Sequence, residues 1–556
     1  MTTNSSAFAP LTDYLRHWVA SVPAAGLAIG LTDRERTLYA TGAGYADLGS
    51  RRPVLADTRF QIGSIGKSLT ALAVLQLVES GRLDLDAPFS AHLPWFAIPS
   101  RFGPITLRHV LSHTAGLPSG SDFTPAARYE GFALRETEAA WEPGSRYHYS
   151  NTGYKLLGWM LEDITGLDFG AVMRQRVLEP LSMTSTYPVI THATHRNSAT
   201  GYVPLHDDRP YRSGGTLIPA TWIEYAVGDG SPVSTAGDMA RYARLWLNGG
   251  RGDVRPLLSP ATYELMTTPA ISMAQGGNFP PEYNYCMGII SHRADGHHFI
   301  GHGGSTVGFR SIMLTDQTDG LGVVVMCNGS DVNTYPVARY ALQFAAAIAG
   351  HLPPPEPPPL PDPARVENAD RYAGTYIGER TGHSLSIVAD GNRLLARRQD
   401  AADVPLEHVA GNTFCALHDD LDPYPLRFRR PEGADEDAPT VEIHHGPNVY
   451  LRQGNEPLAD SIEHPAEWSA FQGHYRSHSP YFPGFRVILR RGQLYLAWPH
   501  GGEEPLTPHP ADAGPSPRFL VGPPGEPTAE WIRFDSVVGS RALRVFWAGG
   551  GSFYRV

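Results

Sequence analysis

The stretch FQIGSIGKSLTALAVLQLVESGRL, residues 60–83, carries two overlapping signatures. A phosphate cradle, G-x-x-x-x-G-K-[ST], needs a glycine five positions before Gly66, where Gln61 stands, so that reading is incomplete. The alternative, Ser64-x-x-Lys67, has all it requires. Leu69, Leu72, Val74, Leu75, Leu77 and Val78 follow at helical spacing, which predicts Ser64 near a helix start and Lys67 one turn on, over the same face. The positive end of the helix dipole then favours negative charge developing on the hydroxyl. The pattern suits a nucleophile beside its base.

Cation usage sharpens this. The chain has 45 lysines plus arginines, and only Lys67 and Lys155 are lysine. Arginine cannot give up its proton in a protein, whereas a lysine can when burial and cationic neighbours lower its pKa from about 10.4. A general base must be able to.

With 556 residues the chain is long enough for several domains. Its 42% hydrophobic and 18% charged content is that of a soluble globular protein. A net charge of −11 argues against nucleic acid as a partner, and no apolar stretch approaches a membrane span. The N-terminal residues show no basic start followed by an apolar core and cleavage site, and Cys286, Cys327 and Cys415 are an odd count at distant positions. The expectation is a cytoplasmic protein without disulfides, and homodimerisation stays open.

Residues 350–364, GHLPPPEPPPLPDPA, read as a stiff extended linker. Before it, residues 26–48 and 308–329 look like paired strands and 335–350 like a helix, which gives an α+β domain, an antiparallel sheet flanked by helices. After it, short alternating segments punctuated by glycine and proline take over. RYAGTYIG (371–378) matches AFQGHYRS (470–477), GNRLLA (391–396) matches GQLYLA (492–497), and LRFRR (426–430) matches IRFDS (532–536). The expected domains are therefore 1–350, a linker 351–364, and two similar all-β, lipocalin-like barrels at 365–457 and 466–556.

Two further clusters can converge on Lys67. In EPGSRYHYSNTGYKLLGWMLEDITG (142–166), alternation along an extended YSN places Tyr149 and Asn151 on one side, where a phenol and an amide can relay a proton and orient an ammonium or a substrate amide. In FIGHGGSTVGFRS (299–311), Gly303 and Gly304 permit close backbone approach, strand amides there can stabilise an oxyanion, and His302 adds a titratable group. A metal site on His292, His297, His298 and His302 is not expected, because tight ligand spacing is missing.

In this order, S-x-x-K, Y-S-N and H-G-G together resemble the serine β-lactamase and penicillin-binding-protein superfamily, in particular its class C branch with D-aminopeptidases, DD-peptidases and family VIII carboxylesterases. VLSHTAGLP (110–118), VESGRLDLDAPFSAHLP (78–94) and VSTAGDMARY (233–242) read like connecting segments of that branch. The resemblance spans about residues 10 to 350. It implies that Ser64 attacks an acyl carbonyl, that Lys67 and Tyr149 share the roles of base and acid, and that Asn151 positions Lys67 and the substrate amide. The oxyanion would be held by the amides of Ser64 and Ser305, the latter just after His302-Gly303-Gly304. Class C β-lactamases carry K-T-G at this third position, facing the substrate carboxylate; H-G-G resembles the D-aminopeptidase and esterase members instead. The two barrels resemble the tail of three-domain D-aminopeptidases, in which a loop of the last barrel limits substrates to short ones with a free amino terminus; residues 478–485 are the candidate for it. The implied activity is cleavage of short D-amino-acid peptides, amides or esters, with no cofactor. A broad carboxylesterase or transacylase is the nearest rival, followed by a DD-peptidase or β-lactamase, and by a binding protein that has lost turnover.

Overall fold

The computed structural model describes residues 5–120, 127–276, 279–397, 402–416, 418–510 and 517–556. Contacts divide the chain into two units. One is Met1–Val203 with Leu217–Leu360 and Ala548–Gly550; the other is Pro204–Thr216 with Pro361–Trp547 and Gly551–Val556.

In the first unit, β1 (Gly26–Thr32), β2 (Thr37–Asp47) and β3 (Arg52–Pro53) come from the start of the chain. The strands β4 (Ile271–Ser272), β5 (Asn284–Tyr285), β6 (Ile290–Ala294), β7 (His297–Thr306), β8 (Phe309–Asp316) and β9 (Leu321–Cys327) come much later. They form one antiparallel sheet in the order β3-β2-β1-β9-β8-β7-β6-β5-β4, joined across the long sequence gap where Ile29 faces Val325. Side chains alternate across this sheet, so both of its faces carry a core. Leu27, Ile29 and Leu31 of β1, with Val323 and Val325 of β9, face one core, while Ala28, Val324 and Met326 face the other.

The helices that matter for the site are α1 (Ala9–Ala20), α2 (Gly66–Glu79), α3 (Ala127–Ala133), α4 (Asn151–Thr165), α5 (Ala236–Leu247) and α6 (Tyr335–Ala349). Helices α1 and α6 cover the first core, and α2, α4 and α5 fill the second. The apolar spacing of α2 predicts one buried face, but the helix is enclosed on all sides from Gly66 to Leu75, with Leu69, Leu72, Val74 and Leu75, and Leu77 beyond them, fully buried. Each such side chain contributes about 1.5–3 kcal/mol of apolar transfer, so the helix that carries Lys67 and follows the Ser64 turn is held firmly.

One local expectation changes. Extended geometry stops at Ser150, and Asn151 is already the first residue of α4, because the Ser150 hydroxyl accepts the Gly153 N–H at 3.0 Å and caps the helix. Asn151 therefore reaches the site from a helix start rather than from a strand.

In the second unit, two closed eight-stranded antiparallel barrels follow one another, each with sequential strand order. The first runs from strand Gly374–Gly378 to strand Asn448–Arg452, the second from Gly473–Arg476 to Gly551–Arg555. The repeat has a physical basis in both. Tyr376 and Tyr475 are fully buried and donate to the carbonyl four residues back, Tyr372 and Phe471, at 2.8 Å in each case. A side chain on Gly374 would press on Arg452, and one on Gly473 on Arg555.

The GNRLLA and GQLYLA match is out of register by one. Both hairpins have two-residue turns, closed by Asp390 with Arg393 and by Arg490 with Gln493. The left-handed first turn residue is Gly391 in one and Arg491 in the other, whose guanidinium is tied to Glu379 and Glu442. Aligning the glycines therefore shifts the strands, whereas the structure sets buried Leu394 and Ala396 equivalent to buried Leu494 and Leu496.

No local pattern marks Pro204–Thr216 as part of the unit that holds the barrels. Within this unit Asp207 pairs with Arg476 at 2.5 Å, Asp208 with Arg486 at 2.7 Å, and Asp422 with Arg209 and Arg212. Residues 478–485 also stay in this unit, and from the last barrel it is Ala548–Gly550 that groups with the first.

Candidate active site

Ser64 sits in a single 3-10 turn, Gly63–Ile65, that leads directly into α2. Lys67, on the first turn of α2, is fully buried. Its Nζ donates to Ser64 Oγ at 3.0 Å, to Asn151 Oδ1 at 2.7 Å and to the carbonyl of Asp229 at 2.8 Å. The Tyr149 ring centroid lies 4.8 Å from the same nitrogen. Four residues from three separated stretches thus meet at one amine, and the Asp229 carbonyl is a partner that sequence reasoning missed. It lies in a Gly- and Pro-rich loop, VGDGSP, that reads only as a turn.

The Tyr149 stretch rests on the segment Ser112–Ser119. His113, with a left-handed backbone, accepts the Ser150 N–H on Nδ1 at 3.0 Å, and its carbonyl accepts the His148 N–H at 2.8 Å. Its ring lies against Tyr149 with centroids 4.4 Å apart. The Ser119 carbonyl accepts the Asn151 N–H at 2.7 Å. Burial, with Lys67 nearby, pushes His113 well below the usual imidazole range, so it stays a neutral acceptor. It too was missed, although it lies inside the quoted VLSHTAGLP.

Strand β7 brings the third cluster against the nucleophile turn. Gly63 is left-handed, and a Cβ there would lie 2.6 Å from the Ser305 nitrogen, so only glycine lets the Ser305 amide come this close to the Gly63–Ile65 turn. A Cβ on Gly304 would overlap the Ile62 carbonyl oxygen, whereas one on Gly303 would have no atom nearer than 3.9 Å. Ser311 Oγ donates to the Ile62 carbonyl at 2.8 Å, and Thr306 Oγ1 donates to Gln61 Oε1 at 2.7 Å, stitching the sheet to the turn.

His302 is buried. Its Nδ1 lies 2.5 Å from the Gly303 carbonyl and its Nε2 3.3 Å from the Tyr285 hydroxyl. Burial lowers its pKa from 6.5 to about 4, opposed by the Gly303 carbonyl and reinforced by Lys67. Between pH 4 and 6.5 the folded protein keeps this ring neutral while an unfolded chain protonates it. The stability it confers is complete above pH 6.5 and is lost as pH falls towards 4, about 3 kcal/mol for this one group. Urea unfolding at pH 7 and pH 4.5 should show that decline, and His302→Gln should flatten it; an equally steep decline in the variant would assign it elsewhere.

The other histidines considered together have separate partners: His292 meets Tyr335, His297 meets Asp316 and His298 meets Ser291. Among the described residues one group, His297 with Asp316 and Asp319, has ligand atoms close enough to share a cation. No helix among them is long and apolar enough to cross a membrane.

The sequence pattern that defines the Beta-lactamase family matches residues 12–348. The chain belongs to that family. Among its relatives, this β-lactamase-family chain is 24% identical over 316 residues to Protein flp of Staphylococcus aureus (strain MW2), over 54% of this chain. It spans 59% of the length of that relative. It is 25% identical to the octameric penicillin-binding protein homologue from Pyrococcus abyssi, with a TM-score of 0.56 over 80% of this chain and 99% of the other. It is also 25% identical to the D-amino acid amidase from Ochrobactrum anthropi SV3 complexed with L-phenylalanine amide, with a TM-score of 0.51 over 62% of this chain and 99% of the other.

Proposed function

We propose that this chain is a serine hydrolase that cleaves short D-amino-acid peptides, amides or esters through an acyl-enzyme on Ser64. The observation that carries the proposal is the set of partners around Lys67 Nζ. A neutral amine has two N–H bonds and one lone pair. The Asn151 and Asp229 oxygens accept the two N–H bonds. Of the three partners, only Ser64 can reverse its hydrogen bond and give its proton to the lone pair.

Ser64 Oγ then bonds to the acyl carbon while its proton passes to Lys67, and the carbonyl oxygen becomes an anion facing the Ser64 and Ser305 amides. Collapse of this intermediate breaks the bond to the leaving amine or alcohol, which takes up a proton through Lys67 and Tyr149. Water, activated by the same pair, hydrolyses the ester and frees Ser64. No step calls on a cofactor.

Two observations support the substrate class. Where a K-T-G enzyme presents a permanent cation to a substrate carboxylate, this chain has a buried, neutral His302, which favours leaving groups without a carboxylate. The likeness to the D-amino acid amidase supports an amide of a D-amino acid.

Turnover of D- and L-alanine p-nitroanilide beside p-nitrophenyl butyrate, with Ser64→Ala as the blank, tests this. The expected result is D over L by about tenfold or more, equivalent to about 1.4 kcal/mol in the transition state, and lost in the blank. Butyrate turnover with neither anilide cleaved would point to a carboxylesterase or transacylase instead.

A further inference from the structure

The two lysines of this chain flank one tyrosine–aspartate pair. Lys155, on the same face of α4 as Asn151, is 1% exposed and pairs at 2.8 Å with Glu130 of α3, also 1% exposed. Its Nζ lies 6.0 Å from the centroid of the Tyr225 ring. The Tyr225 hydroxyl donates to the Asp229 carboxylate, 2.9 Å from both oxygens. Asp229 is 4% exposed, and its backbone carbonyl holds Lys67. The path from one lysine to the other therefore runs Lys155, Tyr225, Asp229, Lys67.

The loop between Tyr225 and Pro232 is fixed at several other points. Ser231 Oγ accepts the Val227 N–H at 2.7 Å, Thr70 Oγ1 of α2 donates to the Gly228 carbonyl at 2.7 Å, and the Pro232 carbonyl accepts the Ile62 N–H at 3.1 Å. A Cβ on Gly228 would overlap the Tyr154 carbonyl of α4. These contacts place the loop. Within this frame the Tyr225 hydroxyl ties down the side chain of Asp229, the residue whose own carbonyl faces Lys67 Nζ.

We propose that Tyr225 is a positioning residue for Lys67: by holding the Asp229 carboxylate it aims the Asp229 carbonyl at Nζ, which leaves the lone pair of the neutral amine directed at Ser64. This rests on the reading of Ser64 and Lys67 as nucleophile and base. Tyr225 touches neither the acyl group nor the leaving group in this scheme. When its hydroxyl is removed, the Asp229 carbonyl is held less firmly in line with Nζ, its hydrogen bond to Lys67 weakens, and the Ser64 proton is taken up less readily. The effect falls on bond formation at Ser64 and on its pH dependence, not on substrate affinity.

The readout is the rate of covalent labelling of Ser64 by an alkyl fluorophosphonate across pH 5–10, which needs no knowledge of the substrate. Tyr225→Phe should slow labelling at saturating reagent about fivefold or more, leave the half-saturating concentration unchanged, and move the rising limb of the pH profile. Asp229→Ala should do the same, and the double variant should be no slower than the slower single one, because both cut the same link. Unfolding midpoints identify any variant that has lost its fold, and Asp229→Ala then stands in for Tyr225→Phe. Slowing of less than fivefold, an unmoved pH limb, or losses that multiply in the double variant would each overturn the proposal. Wild-type protein that takes up no label at Ser64 would instead remove the nucleophile reading beneath it.

Discussion

Lys67→Arg is expected to lower turnover about 10²- to 10⁴-fold, the range of a lost general base, although the positive charge is retained. A guanidinium is larger than an ammonium and cannot surrender its proton. The three acceptors at 2.7–3.0 Å surround a point, not a planar fork, in a position with no solvent exposure. Some stability, about 1–3 kcal/mol, goes to overpacking, so the midpoint of unfolding is measured beside activity. Lys67→Met, close in volume and without an amine, should be comparably inactive and better folded. Steady-state turnover of the best substrate from the anilide and ester set decides the matter. A folded Lys67→Arg protein within tenfold of wild type would mean that Lys67 supplies charge alone and that the base is elsewhere, with Tyr149 the first candidate.

The second large effect separates two adjacent glycines. Gly304→Ala forces a methyl into the Ile62 carbonyl and against Ser311 Oγ, backbone and a structural hydrogen bond that cannot simply step aside. Strand β7 must move away from the Gly63–Ile65 turn and takes the Ser305 amide with it. The expected outcome is about 1–3 kcal/mol of destabilisation and a loss of about 10²- to 10³-fold in kcat, the amount associated with one oxyanion donor. Gly303→Ala meets nothing nearer than 3.9 Å and should keep stability within about 0.5 kcal/mol of wild type. Comparable losses in the two variants would show that the close approach of β7 to the turn is not what glycine is needed for here.

How far the sequence could be read follows from how local each signal is. Ser64 and Lys67 are three apart across the turn that opens one helix, so their meeting is written in the spacing. Tyr149 and Asn151 were legible as a pair, but the helix start that sets Asn151 depends on the Ser150 cap, a choice between two local geometries that both satisfy alternation. Asp229 and His113 were not legible as partners. What they contribute, a main-chain carbonyl and a ring nitrogen that receives a main-chain N–H, becomes significant only once distant segments are packed. The barrels show a related limit. Their repeat was visible in buried tyrosines and glycines, yet one hairpin slipped by a residue because glycine can take either left-handed place in a two-residue turn. Pro204–Thr216 lies beyond any local pattern, since its arginines and aspartates look like ordinary solvated charge until their partners near residues 422, 476 and 486 are known.

Burial of both lysines also shapes how this molecule meets reagents. Within these 556 residues no side-chain amine faces solvent, and every permanent cation on the surface is a guanidinium. Acylating labels, aldehyde cross-linkers and cyanate should leave the native side chains largely untouched, then find two amines at once when the core opens. The molecule thus carries its own chemical gauge of unfolding, one that needs no engineered tag. Its surface cations, all guanidinium, should also keep their charge through the alkaline range in which lysine-rich surfaces lose theirs.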